Sequence, residues 1–415
     1  MPRGGNGWPL SARRPWCCVP TTPARCFRKR GGTSFARARQ SAREPAFRTR
    51  GRVGPIRPAT RDDIPQIAAL RSRVFSWRRK DSAEARETAL QRVFFDNPFC
   101  DERLPSLVCE NDRGGILGFI GVSARRLRWQ GAEVCAAVSH GLMVDPESRG
   151  VTGLRLLQRL LDGPQDITFA DSPNQVARRL MEHLGGVTAP HDSLFWVRPL
   201  RPVRYMLGQI RNGGLLFSVR LLARPVASAI DALAARYAHS PFYVKDPGSR
   251  EEPLTAADLV RCLSELGSVC SPTPSYSEAA LSWLLGSLGR GPQAGALRQA
   301  LVRSSAGEEI GWYIRFTNRR GTSEVVQMGA RKDRYASLLD HVFHAAWREG
   351  SVAVSGRVQP PFLETLGQKG CVFSTNGPPV LIHSRQTDLL RAIEGGRAFL
   401  SRLEGEWWMS YLSEG

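Results

Sequence analysis

One strand–loop–helix segment constrains the fold of this 415-residue chain more than any other feature. Residues 142–144 are an apolar run that predicts the end of a β-strand, and Pro146 prevents the strand from continuing. Gly150 and Gly153 follow, and the leucine-rich residues 154–161 predict a helix. A glycine-bearing loop at a helix N-terminus presents backbone N–H groups and the positive end of the helix dipole, which suits a bound pyrophosphate.

The flanking residues predict a sheet covered by helices. Thr60 and Asp63 match a capping box that begins one helix, and residues 83–95 predict a second. Alternating apolar residues predict strands at 55–59, 106–110, 117–126, 134–144 and 167–171. The order of these elements predicts a mixed α/β fold.

The central segment resembles a motif of a known superfamily. Val144-Asp145-Pro146-Glu147-Ser148-Arg149-Gly150 is similar to the Val-x-Pro-Glu-x-Arg-Gly motif of the GNAT acyltransferases, and residues 173–186 are similar to their Asn-x-x-Ala-x-x-Leu-x-x-x-Leu-Gly helix. The resemblance implies that the loop amides hold the pyrophosphate of coenzyme A and that the preceding strand pairs with its pantetheine arm. It assigns to the cofactor Leu142, Met143, Val144, Arg149, Gly150, Val151, Thr152, Gly153 and Asn174.

Two residues depart from the superfamily pattern. In the superfamily's loop Arg149 is followed by two glycine or alanine positions, which here fall on Thr152 and Leu154. Gly153 lies between them, so the loop is shifted by one residue relative to the motif. Met181 stands where many members have the tyrosine that protonates the leaving thiolate, and a thioether cannot donate a proton. Another group or water would then supply the proton, or the site is not catalytic.

His140 is the predicted catalytic base. It lies on the strand that leads into the loop, where alternation predicts that His140, Leu142 and Val144 share a face. An imidazole titrates near neutrality, and the segment resembles the aralkylamine acetyltransferase branch, in which a histidine at this place helps to deprotonate the amine. A buried histidine with a structural role is the alternative. Asp171 is a second candidate base, or else a helix cap.

The element order repeats from Leu254 onward. Further helices are predicted at residues 256–266, 276–286 and 335–349, and strands at 296–304, 309–318, 323–330 and 352–355. We therefore predict four segments: a disordered Arg-rich segment at 1–52, a GNAT acyl-CoA-binding domain at 53–200, a helical connector at 201–250, and a second, degenerate GNAT-like domain at 251–415. The loop after residue 330 lacks a glycine, which disfavours a second pyrophosphate site.

Charge and cysteine content exclude several classes of protein. Residues 1–50 contain twelve Arg and Lys against the single acid Glu44, so +11 of the net charge of +20 lies there and nucleic-acid binding is disfavoured for the rest. The nine cysteines show no CxxC pair, and His341 and His344 alone do not make a metal site, so no metal is predicted. No apolar run is long enough to span a membrane, and a cytoplasmic location is expected.

The residues together predict an enzyme, an N-acyltransferase that moves an acetyl or other acyl group from acyl-CoA to an amine acceptor by direct attack. The acceptor is a small molecule or a polymer precursor, including precursors of cell-surface polysaccharide or peptide. One alternative is a non-catalytic acyl-CoA-binding or scaffold protein, and another is a nucleic-acid-associated protein that uses the basic N-terminus. The motif Glu404-Gly405-Glu406-Trp407-Trp408-Met409 is either a lid over the acceptor or a C-terminal anchor.

Overall fold

The computed structural model describes residues 53–75, 82–149, 151–209, 223–267, 270–289 and 295–407, so the predicted disordered segment at 1–52 lies outside the described residues. The strands are β1 Val53–Pro58, β2 Leu107–Asn111, β3 Ile116–Trp129, β4 Ala132–Val144, β5 Ile167–Ala170, β6 Val187–Ala189, β7 Phe195–Pro199, β8 Arg250–Pro253, β9 Thr273–Ser275, β10 Ala296–Arg303, β11 Glu309–Thr317, β12 Thr322–Ala330, β13 Ala353–Arg357, β14 Val372–Ser374 and β15 Val380–Ser384. The helices are α1 Ile64–Val74, α2 Ala83–Phe94, α3 Val151–Leu161, α4 Gln175–His183, α5 Pro202–Gln209, α6 Arg224–Arg236, α7 Ala256–Leu266, α8 Glu278–Leu288, α9 Tyr335–Arg348, α10 Leu363–Gln368 and α11 Thr387–Glu394.

Two mixed sheets with the same internal arrangement organise the fold. The first has the strand order β1-β2-β3-β4-β5-β15-β6, with β9 added beside β3, and the second has the order β8-β10-β11-β12-β13-β7-β14. In the first sheet all neighbouring strands in this order are antiparallel except β4 and β5, which are parallel. In the second sheet all are antiparallel except β12 and β13, which are parallel. The repeated element order predicted for the second half is therefore present in its sheet. The fold is mixed α/β, as predicted.

The two halves of the chain exchange one strand each. β7 leaves the first half and pairs with β13 and β14 in the second sheet, whereas β15 returns from the C-terminal part and lies between β5 and β6 in the first sheet. The parallel neighbours β4 and β5 thus belong to a sheet that is completed only by β15, which begins more than two hundred residues after β5 ends. The segment boundaries at residues 200 and 250 stay a prediction.

A shared apolar core joins the two sheets. It contains buried side chains of α1 and α2 from the first half, among them Leu70 and Phe94, and of α7 and α8 from the second, among them Leu263 and Leu284. Trp407 near the C-terminus belongs to the same cluster. Side chains of this kind contribute about 1.5–3 kcal/mol each when fully buried, so the cluster holds the halves together.

The predicted helix starts are explained by local hydrogen bonds. The Thr255 hydroxyl accepts from the amide of Asp258 at 3.1 Å and donates to its carboxylate at 2.6 Å, which confirms the predicted start of α7. The Asp63 carboxylate accepts from the Thr60 amide at 2.8 Å, as a capping box requires, but the first turn is a 3₁₀ turn before α1. None of the described helices is long and apolar enough to cross a membrane.

Candidate functional site

A split between β4 and β5 opens the first sheet. The two strands pair in parallel only from Ala136 opposite Ile167 to Val138 opposite Phe169. β4 then continues to Val144, whereas β5 ends at Ala170 and pairs along its whole length with β15 on its other side. Within the described residues no strand pairs with this side of β4 beyond Val138, so this edge of β4 has no strand partner at the centre of the sheet.

A β-bulge lies in the part of β4 that borders the split. Met143 pairs with Phe119 and His140 with Gly121, so β4 has one residue more than β3 at this point. Gly141 has a φ of +62°, a conformation that side chains rarely adopt, and allows the bulge.

The bulge changes which side chains share a face. His140 stacks on Phe94 with ring centroids 5.4 Å apart, on the face that carries the shared core. Leu142 packs on the opposite face, against the cluster under α3. The predicted common face for His140, Leu142 and Val144 was therefore wrong, because the extra residue breaks the alternation.

His140 is an enclosed, neutral imidazole. The pKa of His140 is lowered to about 3, chiefly by burial. The positive charge of Arg71 also lowers the pKa, whereas Asp171 opposes the change. Its Nδ1 atom is buried and has no hydrogen-bonding partner among the described residues. The ring is thus present as the free base at neutral pH, but it holds a proton weakly. Its role as the catalytic base stays a prediction.

The predicted cofactor loop leads from β4 into the first turn of α3. The helix begins at Val151, so Val151, Thr152 and Gly153 provide three of the first four amide groups, which have no partner within a helix. The side chain of Val151 is 62% exposed, whereas Thr152 is fully buried and Gly153 faces Val144 and Leu180. Gly153 therefore lies in the helix rather than in the loop, because the helix starts three residues earlier than predicted.

The other predicted loop residues differ in accessibility. Arg149 is exposed, and Gly150 lies outside the described residues. The loop is tied to α1 by an ion pair of 2.9 Å between Arg73 and Asp145. The start of the loop therefore contacts the last turn of α1.

Asn174 and Met181 lie on α4 in different surroundings. Asn174 is exposed, and its Oδ1 accepts from the Ala177 amide at 2.9 Å, which makes it the N-cap of α4. Met181 is 2% exposed and packs with Leu161 and Leu381. Met181 thus serves as an apolar core side chain.

Asp171, the residue after β5, anchors the C-terminal segment. Its Oδ1 accepts from the amides of Glu406 at 2.8 Å and Trp407 at 3.2 Å, while Oδ2 accepts from Arg357 at 3.3 Å. Glu406 in turn accepts from the amides of Asp171 and Ser172, at 2.7 and 2.9 Å. Asp171 does not cap a helix, so that interpretation was wrong.

These contacts make residues 404–407 an anchor packed on the end of β5. Burial and the neighbouring Asp171 carboxylate raise the pKa of Glu406 well above its usual range. Burial also raises the pKa of Glu404 to about 7, although Ser401 and Tyr276 donate hydrogen bonds to its carboxylate. Trp408 and Met409 lie outside the described residues.

Asp192 and Arg357 are buried charged residues that the sequence did not reveal. Asp192 is fully buried with neither carboxyl oxygen bonded among the described residues, and burial raises its pKa to about 7. The positive charge of Arg357 opposes that rise. Asp192 lies between His191 and Ser193, and Arg357 between Gly356 and Val358, so no local apolar pattern distinguishes either charge from one on the surface.

His341 does not indicate a metal site. Its Nδ1 bonds to the Ser249 hydroxyl at 2.6 Å and its Nε2 to Glu251 at 2.9 Å, so both ring nitrogens are occupied. Among the described residues no group of three or more His, Cys, Asp and Glu side chains is arranged to hold a metal ion.

Comparison with known proteins identifies the fold. No protein-family model matches the sequence, and no curated protein sequence matches it. The structure is similar to that of a GCN5-related N-acetyltransferase from Anabaena variabilis, with a TM-score of 0.53 and 12% identity over 81% of this chain and 74% of that one. It is also similar to a GCN5-related N-acetyltransferase from Kribbella flavida, with a TM-score of 0.50 and 15% identity over 81% and 72% of the two chains. The chain therefore has a GNAT fold.

Proposed function

We propose that the first sheet binds an acyl-CoA in the split between β4 and β5 and that the protein transfers the acyl group to an amine. The observation that carries the proposal is the end of β4–β5 pairing at Val138 and Phe169, with β4 continuing alone toward α3. An unpaired strand edge offers backbone groups to an amide-bearing chain, and the first turn of α3 offers N–H groups to phosphates. The GNAT fold supports the same placement.

The chemistry would be direct attack of the amine on the thioester carbonyl. Backbone amides near residues 142–144 would polarise the carbonyl, and the split would hold the two reactants in line. The buried nitrogen of His140 would pass the proton on to water rather than keep it, since its pKa is about 3. The predicted residues Arg149, Gly150 and Asn174 would contact the cofactor.

A non-catalytic acyl-CoA-binding protein is the second candidate. Two observations favour it: the low pKa of His140 and the burial of Met181 in an apolar cluster. Neither residue is an efficient proton donor or acceptor at neutral pH. Acyl transfer to a defined amine separates the two candidates.

Binding is tested by thermal unfolding of the full chain with acetyl-CoA, free CoA and longer acyl-CoAs. A ligand that binds only the native state at about 100 times its Kd stabilises it by about 2.7 kcal/mol, so a clear rise in Tm is expected. The variant Val151→Glu places a negative charge on an exposed side chain of the first turn of α3 and should abolish the rise. The matched control is Val226→Glu, which changes an exposed valine in the first turn of α6 and should keep it.

Transfer is tested by following CoA thiol release with a panel of primary amines. Amine-dependent release, with the acylated amine detected by mass spectrometry, is the result expected of an enzyme. A rise in Tm without amine-dependent release would support the binding protein instead. Absence of any rise with every CoA species would refute the placement of the cofactor in this split.

A further inference from the structure

The second sheet contains a split of the same kind as the first. β12 pairs in parallel with β13 only as far as Val325 opposite Gly356, and then continues to Ala330. A bulge adjoins this point too, between the pairs made by Ile314 and Arg315 with β12. The two sheets therefore share strand order, strand direction, bulge and split.

The second split is filled by a side chain of the protein itself. The Gln359 carboxamide donates from Nε2 to the Met328 carbonyl at 2.6 Å and accepts from the Met328 amide through Oε1 at 2.9 Å. Gln359 is only 3% exposed. The side-chain amide of Gln359 thus makes two hydrogen bonds with the edge of β12. A neighbouring strand would make the same two bonds through its backbone.

The position of Gln359 matches a position beside the first split. Gln359 lies three residues after Gly356, the last residue of β13 that pairs with β12, and is followed by Pro360. Ser172 lies three residues after Phe169, the last residue of β5 that pairs with β4, and is followed by a proline as well. Ser172 is exposed and has no carboxamide, so the first split has no equivalent filler at this position.

The strand residue that Gln359 contacts also has a counterpart. Met328 lies four residues before the 3₁₀ turn that follows β12, and Leu142 lies four residues before the turn that follows β4. Gln359 beside Met328 in the second sheet therefore has the same position as the proposed amide-bearing arm of acyl-CoA beside Leu142 in the first sheet.

We propose that the Gln359 carboxamide takes, in the second sheet, the place that the amide-bearing arm of an acyl-CoA takes in the first. The chain then binds one acyl-CoA, and the second split is a latent site for an arm of that chemistry. This inference rests on the proposed function. The loop after β12, which has no glycine between residues 331 and 334, agrees with a split that needs no pyrophosphate site.

The test is hydrogen exchange of the full chain, read separately at peptides spanning residues 139–145 and 325–331, with pantetheine as the probe. The variant Gln359→Ser gives the second split the residue that stands beside the first. We expect exchange at 325–331 to become roughly ten- to a hundredfold faster in this variant, because the Met328 amide loses its partner. Pantetheine should restore the protection in the variant and leave 325–331 unchanged in the wild type.

The matched control is Gln165→Ser. Gln165 is also buried, and its amide donates to the Leu160 carbonyl at 2.6 Å and to the Thr168 hydroxyl of β5 at 2.9 Å, in the first sheet and not beside the second split. This variant should not respond to pantetheine at 325–331. The inference is overturned if exchange at 325–331 is unchanged in Gln359→Ser, or if pantetheine protects residues 139–145 without restoring 325–331.

Different results would contradict the proposed function and the inference about Gln359. A wild-type chain in which pantetheine leaves 139–145 unprotected contradicts the proposed function, while the effect of Gln359→Ser on 325–331 still decides what closes the second split. Should that variant not fold, calorimetric titration of the wild type with acetyl-CoA decides the inference. One equivalent per chain is expected, and two equivalents would overturn it.

Discussion

The buried imidazole of His140 should make the stability of the protein fall steeply as the pH is lowered. The folded-state pKa is about 3, whereas an unfolded histidine titrates near 6.5. Below pH 6.5 the unfolded chain therefore binds a proton that the folded chain excludes, so stability is fully present above this value and is lost as the pH falls toward 3. Integrating the linkage relation from pH 7.5 to 5.0 gives a loss of about 2 kcal/mol from this residue alone.

The assay is urea unfolding of wild type and His140→Gln at the two pH values. The wild type should lose about 2 kcal/mol more than the variant between pH 7.5 and 5.0, since glutamine does not titrate. The comparison removes the contributions of other groups, such as Asp192 and Glu404, whose raised pKa values act in the opposite direction. His183→Gln is the control, because His183 is exposed on α4 and should keep the wild-type response. Equal losses in wild type and His140→Gln would refute the account of His140 as a desolvated imidazole.

Two further predictions concern the buried Asp192 carboxyl and the anchor formed by residues 404–407. Asp192→Asn should stabilise the protein, and by roughly 2–3 kcal/mol more at pH 8 than at pH 5. The reason is that a carboxyl with a pKa of about 7 is deprotonated in the folded protein only at the higher pH. If chemical denaturation shows the same effect of the substitution at both pH values, the burial of this charge is contradicted. Gly405→Ala should lower Tm by several degrees, because the added methyl group would lie 2.0 Å from the Asp171 carboxylate and push the anchor off β5. Gly286→Ala on α8 is the control, since the added methyl group would have no atom within 4 Å. A helical alanine there should be neutral or stabilising by up to about 1 kcal/mol. If calorimetry gives the same change in Tm for both variants, the clash at Gly405 is contradicted.

Local sequence signals predicted most of the elements around the split. The capping box at Thr255, the strand alternation before Val144 and the helix after residue 334 all depend on neighbours a few residues apart, and all three elements are present. Such signals act within one turn or one strand and can be recognised without knowing the rest of the fold.

The exchanged strands and the bulge could not be predicted in the same way. β7 and β15 are five residues each, and their partners lie more than 150 residues away, so only the assembled sheet determines where they pair. The bulge at Gly141 depends on how β3 and β4 register with each other, and one extra residue was enough to place His140 and Leu142 on opposite faces. The capping role expected of Asp171 failed for a related reason, because its partners at residues 406 and 407 come from the far end of the chain.

The strand exchange has a consequence for how the chain reaches its fold during synthesis. Residues of β1 to β6 leave the ribosome early, but β15, which separates β5 from β6, is made only when residues 380–384 have been added. Until then β5 has no neighbour on its outer side, and the parallel pair that flanks the split is held only through β4. The first-made half must therefore wait with an open sheet edge, and a ribosome stalled before residue 380 would present a chain that needs protection from pairing with other strands.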